Sequence, residues 1–218
     1  MSLRTLEFNH WLAEKKCLAV VTALQQKHFI ACYCAEPQQA YDYILKQAET
    51  AHSIGFGGSL SIADLQLTEA LRAQGKELLN HGAADLTPTQ KQAIMRRQLT
   101  CDLFLTGTNA LTLDGCLVNI DGNGNRVAAM IYGPAKVIVV AGRNKIVEGD
   151  LTAAIRRIKD KAAPPNAMRL KKQTPCATTG FCQDCDSPQR ICHITTIIDS
   201  KPTLTELHVL VVNADLGL

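Results

Sequence analysis

Four of the chain's nine cysteines, Cys176, Cys182, Cys185 and Cys192, fall within the seventeen residues CATTGFCQDCDSPQRIC. A segment with so few apolar side chains cannot offset its ordering entropy, roughly 1–2 kcal/mol per residue for backbone alone, by burying surface. Something covalent or coordinative is needed to hold it. The two-residue gap between Cys182 and Cys185 lets neighbouring thiolates grip one ion, and the gaps on either side leave loop enough for two further ligands. These four cysteines are the candidate metal ligands. Neither the paired CxxC motifs of a zinc ribbon nor the ferredoxin run is present, so zinc and a four-iron iron–sulfur cluster both remain open. Gly180 eases a turn, Arg190 could offset thiolate charge, and His193 is expected outside the ligand set.

A second group of residues has the chemistry of anion binding. GFGGSLSIAD (55–64) departs from the dinucleotide fingerprint because Leu60 stands where its last glycine belongs, so no nicotinamide cofactor is expected. What remains is a loop in which Gly57, Gly58 and Ser59 bring backbone donors close to a phosphate or carboxylate. Ser61 and Asp64 are spaced as a capping box for the following helix. TGTNALTLDG (106–115) and GRNK (142–145) each follow a strand candidate. They place Thr108, Asn109, Arg143, Asn144 and Lys145 where ligands collect in open α/β sheets, with Lys136 a less central member at a strand start. Asp114 is the candidate general base, by elimination. Neither a Ser–His–acid pattern nor HExxH occurs, and His10, His28, His52, His81 and His208 have no partner identifiable from the sequence.

The elements that must position these residues alternate between strand and helix. Leu6, Trp11, Leu12, Leu18, Val21 and Leu24 recur at helical spacing from Arg4 to about Lys27. FIACYC, SIGF, CDLFLTG, KVIVVAG and ELHVLVV read as strands. Helices are predicted from Pro37 to about Ala51, over SIADLQLTEALRAQG with Gly75 as its stop, from Thr87-Pro88, and from about Asp150 to Leu170 with an interruption near Pro164-Pro165. Asp121-Gly122 and Asn123-Gly124 between apolar runs predict a tight hairpin. The pattern is an α/β fold with a mainly parallel sheet and flanking helices. It divides into an α/β unit over 1–172 and a cysteine-rich segment over 173–218 whose last strand rejoins the sheet.

Composition narrows the partners. The chain has 218 residues, 46% hydrophobic and 20% charged, with a net charge of +3. Near-neutral charge and few aromatics argue against nucleic-acid binding, despite the basic stretch RRIKDKAAPPNAMRLKK. The opening MSLRTLEFNHW has no apolar leader, and no run is long enough for a membrane span, so a cytoplasmic protein is expected. A reducing compartment in turn disfavours disulfides.

GFGGSLSIADLQL, the long stretch TGTNALTLDGCLVNIDGNGNRVAAMIYGPAKVIVVAGRNKIV and the terminal C-x5-C-x2-C-x6-C together resemble the LUD-domain (lactate-utilisation, LutC/YkgG-like) family across nearly the whole chain. The resemblance implies a fold similar to the NagB/RpiA/CoA-transferase group. It also implies a link to oxidation of lactate or another 2-hydroxy acid, with iron–sulfur redox proteins as partners, which tilts the metal toward an iron–sulfur cluster. On this view the chain binds a small anionic metabolite as an accessory or redox component. The alternative is an isomerase or CoA-transferase-like enzyme with a structural zinc, although a CoA transferase would use a glutamate nucleophile. Catalytic status and assembly into a homo-oligomer stay open.

Overall fold

The computed structural model describes residues 3–218, apart from the side chains of Leu3 and Leu6; the expected place of Leu6 on an apolar helix face lies outside the described residues. Helix α1 (Leu3–Gln26) buries Cys17, Val20, Val21 and Leu24, one stripe at i, i+3, i+4 and i+7. Trp11, Leu12 and Leu18, predicted on that face, are exposed instead.

Strand β1 (Ile30–Cys34), α2 (Pro37–Ala48) and β2 (Ser53–Phe56) follow as predicted. The next predicted helix is broken in two, α3 (Leu60–Ala63) and α4 (Thr68–Ala73), and an unpredicted strand β3 (Glu77–Asn80) precedes α5 (Pro88–Arg97). Thr87 and Gln90 close a reciprocal cap at the start of α5. Then come β4 (Leu103–Gly107), β5 (Ala110–Thr112), β6 (Leu117–Asp121), α6 (Asn125–Tyr132), β7 (Lys136–Gly142) and β8 (Ile146–Val147). Helices α7 (Leu151–Arg157) and α8 (Ala163–Arg169), joined through the π-helical turn Ile158–Ala162, and the short α9 (Pro175–Thr179) lead to β9 (Ile194–Ile198) and β10 (Glu206–Val212).

Six strands form one parallel sheet in the order β1-β10-β7-β4-β2-β3. Its central strands are buried on both faces, which is why they read as continuous apolar runs. Val137, Val139 and Ala141 of β7 pack toward α1 and α6, while Ile138 and Val140 join the layer of α2 and α4. A second, mixed sheet, β8-β5-β6-β9, packs against α7 and the π-helical turn through Ala110, Val118, Ala154 and Ile158.

Two local expectations are corrected. The glycine- and asparagine-rich turn after β6 starts a helix and closes no hairpin: Gly124 has φ 80° and is the N-cap of α6, and β6 finds its antiparallel partners in β5 and β9. Pro164 and Pro165 do not interrupt the basic helix, because they fall in the first turn of α8 behind the π-helical turn, where a missing N–H costs little. No described helix is long and apolar enough to cross a membrane.

Candidate functional site

Because the six strands are parallel, their carboxyl ends share one edge, and the loops leaving β2, β4 and β7 meet there. Gly57 continues the ladder, its amide donating to the Leu105 carbonyl at 2.9 Å. A Cβ at Gly57 would lie 2.7 Å from Thr106 Oγ1, and one at Gly107 would lie 2.6 Å from Ser59 Oγ. The glycines thus let two loops touch, and Gly58 adopts φ +71° beside them. The predicted capping box does not form. Ser59 is the N-cap of α3 and makes no side-chain cap. Ser61 is fully buried, with its hydroxyl donating to the Leu216 carbonyl at 3.1 Å and accepting from Lys145 Nζ at 2.7 Å. Asp64 accepts from the Gly217 amide at 2.7 Å.

Lys145 ends the 3-10 turn that follows β7 and is 4% exposed. Among the described residues it makes no ion pair, and Ser61 is the hydrogen-bond partner of its amino group. Burial first, then the charges of Arg157 and Arg126, lower its pKa from 10.5 to about 7, with Asp64 opposing weakly. The residues after β10 run across this edge: Leu216 donates to Asn144 Oδ1 at 3.1 Å, and Arg143 pairs with Asp215 at 2.9 Å.

A buried polar cluster supports the β4 side. Arg126 is engaged through Nε, Nη1 and Nη2 by Asp121, Asn119, Asn109 and the Gly107 carbonyl. Thr108 Oγ1 donates to Asn119 Oδ1 at 3.2 Å, and Asn119 Nδ2 is buried without a partner. Arg157 of α7 donates to the backbone oxygens of Asn109, Asn144 and Leu218 and makes no side-chain ion pair among the described residues.

Of the sequence-predicted residues, the fold gathers Gly57, Gly58, Ser59, Ser61, Thr108, Asn109, Arg143, Asn144 and Lys145 at this edge. Lys136 and Asp114 stand elsewhere. Lys136 opens β7 at the opposite edge of the sheet, bonded to Gln47 at 2.7 Å and to Glu206 at 3.2 Å. Asp114 is largely exposed beside Lys27, at 3.7 Å, in a group where Cys116 Sγ lies 3.0 Å from both Lys27 Nζ and Asp199 Oδ1. A hydrogen bond from Thr112, then Lys27, holds its carboxyl below the usual range, which weakens it as a base.

Sequence reasoning passed over His81 and Arg126. His81 Nδ1 contacts the Gln98 amide nitrogen at 3.1 Å, and its Nε2 lies 3.3 Å from where a Gly58 Cβ would be. The signal available was position alone, since His81 follows β3 just as the glycine loop follows β2.

The four tail cysteines line one cavity of about 20 Å³ together with Lys159, Thr174 and Arg190. All are free thiols. The Asp184 amide donates to Cys182 Sγ at 3.5 Å, and Arg190 Nε is buried with no partner. Among the described residues no group of three or more His, Cys, Asp or Glu side chains stands in an arrangement that could hold a metal ion. The thiols therefore share a cavity without forming a coordination site as they stand. The other cysteines differ in kind: burial pushes Cys17, Cys34 and Cys101 up to about 11, as expected of inert core thiols.

A family model described as the LUD domain matches residues 18–212. Among solved structures, a DUF162 family protein from Deinococcus radiodurans is similar at 14% identity and TM-score 0.53, over 92% of this chain and 98% of that one. That likeness is one of fold. Ribose 5-phosphate isomerase from Plasmodium falciparum (16% identity, TM-score 0.32, 53% of this chain and 55% of that one) and eIF2B beta from Chaetomium thermophilum (17%, 0.32, 62% and 44%) are more distant. No curated protein matches.

Proposed function

Since the chain belongs to the LUD-domain family, we propose that it acts in the metabolism of lactate or a related 2-hydroxy acid, binding a small anionic metabolite at the carboxyl edge of its six-stranded sheet as an accessory or redox component. One observation carries the reading: Lys145, a buried lysine with no carboxylate partner among the described residues, at the meeting point of three strand ends. A buried cation or amine without a counter-charge is costly, and an anionic metabolite would supply what the fold leaves out. Arg157, bonded only to backbone oxygens, adds positive potential.

The four cysteines would hold the metal centre. Their shared cavity, the orphaned Nε of Arg190 and the ammonium of Lys159 lining the same space suit thiolate charge. A cavity of about 20 Å³ is the room of roughly one water-sized sphere, which suits a single ion; a cluster would require the sulfurs to part. Zinc would brace the tail, and a cluster would pass electrons to a redox partner protein.

The tests are direct. A thermal-shift panel of L-lactate, pyruvate, phosphosugars and CoA esters is expected to show saturable stabilisation by a 2-hydroxy or 2-oxo acid, following mass action. Lys145→Met is expected to abolish it. Silence across the panel sinks the anion site. Element analysis of anaerobically purified protein is expected to find zinc or iron bound through the tail and lost in Cys182→Ser. A metal-free protein of unchanged stability removes the metal centre.

A further inference from the structure

We propose that His81 is a ligand-binding residue at the glycine loop, its neutral imidazole donating a hydrogen bond from Nε2 to an oxygen of the small anion held at the carboxyl edge of the sheet. The proposal rests on the anion-site reading above and gives that site a donor on the β3 side. Its ground is a tautomer fixed by buried partners. Gln98 is 1% exposed, and its amide nitrogen lies 2.8 Å from the Phe56 carbonyl and 2.7 Å from the Leu79 carbonyl, near the ends of β2 and β3. Two carbonyl oxygens face only the NH2 end of an amide, so the orientation of Gln98 is set. The same nitrogen lies 3.1 Å from His81 Nδ1. Against a donor, Nδ1 presents its lone pair, which puts the single ring proton on Nε2.

That second nitrogen borders open space. Among the described residues the ring's hydrogen-bond partner is Gln98, through Nδ1. A Cβ on Gly58 would lie 3.3 Å from Nε2 and 3.6 Å from Cε1, and apart from the glycine and its chain neighbours nothing else comes within 4 Å of that point. Gly58 is itself exposed, with φ +71°. A ligand oxygen therefore has room where the side chain is missing. The matching point beside Gly107 is closed, 2.6 Å from Ser59 Oγ and 3.2 Å from the Val140 carbonyl, so of these two glycines it is Gly58 that leaves an approach.

The geometry also limits what His81 does. Protonating the ring would turn an Nδ1–H onto the Gln98 amide, and burial adds to that cost, lowering the histidine's pKa from 6.5. The ring stays neutral, and because Nε2 holds its proton it is neither a base nor a metal ligand at that atom. What it offers is one directed N–H. An anionic oxygen, of a carboxylate or a phosphate, accepts it as a charge-assisted hydrogen bond. Gln98 is a positioning residue, acting only through the ring.

The experiment reads the ring directly. The full chain, nitrogen-labelled and with His81 assigned by through-bond correlation to its backbone, is titrated at neutral pH with pyruvate, L-lactate and inorganic phosphate in separate arms. The free chain is expected to show the proton of His81 on Nε2, and the anion that binds is expected to shift that signal saturably while His208, enclosed by Tyr43 and Glu206, stays still. The three arms separate a carboxylate ligand from a phosphate. Affinity for the same probe is expected to fall about tenfold or more in His81→Phe and to stay within about threefold in His81→Gln, which keeps an N–H near the place of Nε2. A proton on Nδ1, or a doubly protonated ring, overturns the proposal, and this reading of the wild type decides even if a variant fails to fold. Saturable binding with an unmoved His81 ring, or undiminished in a folded His81→Phe chain, overturns the role of His81 and leaves the anion site standing; absence of binding by all three probes overturns both.

Discussion

Lys145 gives the molecule a pH response whose sign follows from its burial. The unfolded chain holds this proton up to about 10.5, whereas the folded chain releases it at about 7, because desolvation and then Arg157 and Arg126 disfavour the charge. Between those values the unfolded state binds more protons, so stability contributed by this group rises with pH across the window. Below about 7 both states are protonated and the full cost of the buried charge remains, on the order of a few kcal/mol. Lys145→Met removes that cost together with one hydrogen bond to Ser61. Urea midpoints of wild type and variant, measured from pH 6 to 10, are expected to show the variant ahead at pH 6 and its advantage shrinking as pH rises. The difference between the curves cancels the buried cysteines, which titrate identically in both. Parallel curves would mean that Lys145 is solvated or paired.

At the scale of elements, the glycine loop and the β4 end are held in contact by what their residues lack. A Cβ at Gly107 would meet Ser59 Oγ at 2.6 Å, while one at Gly75, with φ +72°, would meet nothing within 4 Å. Gly75→Ala therefore suffers only backbone strain, about 1 kcal/mol. Gly107→Ala carries no left-handed strain but must separate two packed loops, about 1–3 kcal/mol. Denaturant midpoints of the two variants test this, and a Gly107→Ala chain as stable as wild type would mean that the loops are not in contact. The same contrast explains what was readable beforehand. Strands β2, β4, β7 and β10 are legible because burial on both faces writes a continuous apolar run, and Asn144 and Lys145 are legible as polar residues just past such a run. Strands β3 (ELLN) and β9 (ITTII) lie at sheet edges, where such short or mixed sequences carry no comparable signal. The turn at Asp121-Gly122-Asn123-Gly124 misleads because left-handed glycine serves a helix start as well as a hairpin. Arg126 and His81 matter through partners distant in sequence, which no local pattern encodes.

For the whole molecule, the order of the sheet puts the last strand of the chain inside it, between the edge strand β1 and β7. Strand β10 pairs with β1 on one side and β7 on the other, joining Ile30 of the first strand to the register of His208. Its Leu207, Val209, Leu210, Val211 and Val212 are fully buried, so the two cores on either face of the sheet close only when residues 206–212 arrive. A chain stopped after Thr205 lacks the bridge between β1 and β7 and is expected to give no cooperative unfolding transition. A chain stopped after Asn213 keeps every strand. What it loses is the cover of the anion site: the Ser61 and Asn144 bonds to Leu216, the Asp64 bond to Gly217 and the Arg143 pair with Asp215. That chain is expected to fold with a lowered midpoint and to react at Lys145 with an amine-directed acylating reagent, where the full-length chain is protected. Water would now reach the amine, so its pKa should move back toward the ordinary value and the pH-dependent gap in stability should close. If the shortened chain folds with Lys145 still protected and the gap intact, the segment after β10 is not what buries it, and the shielding must come from α3 and the β4 loop alone.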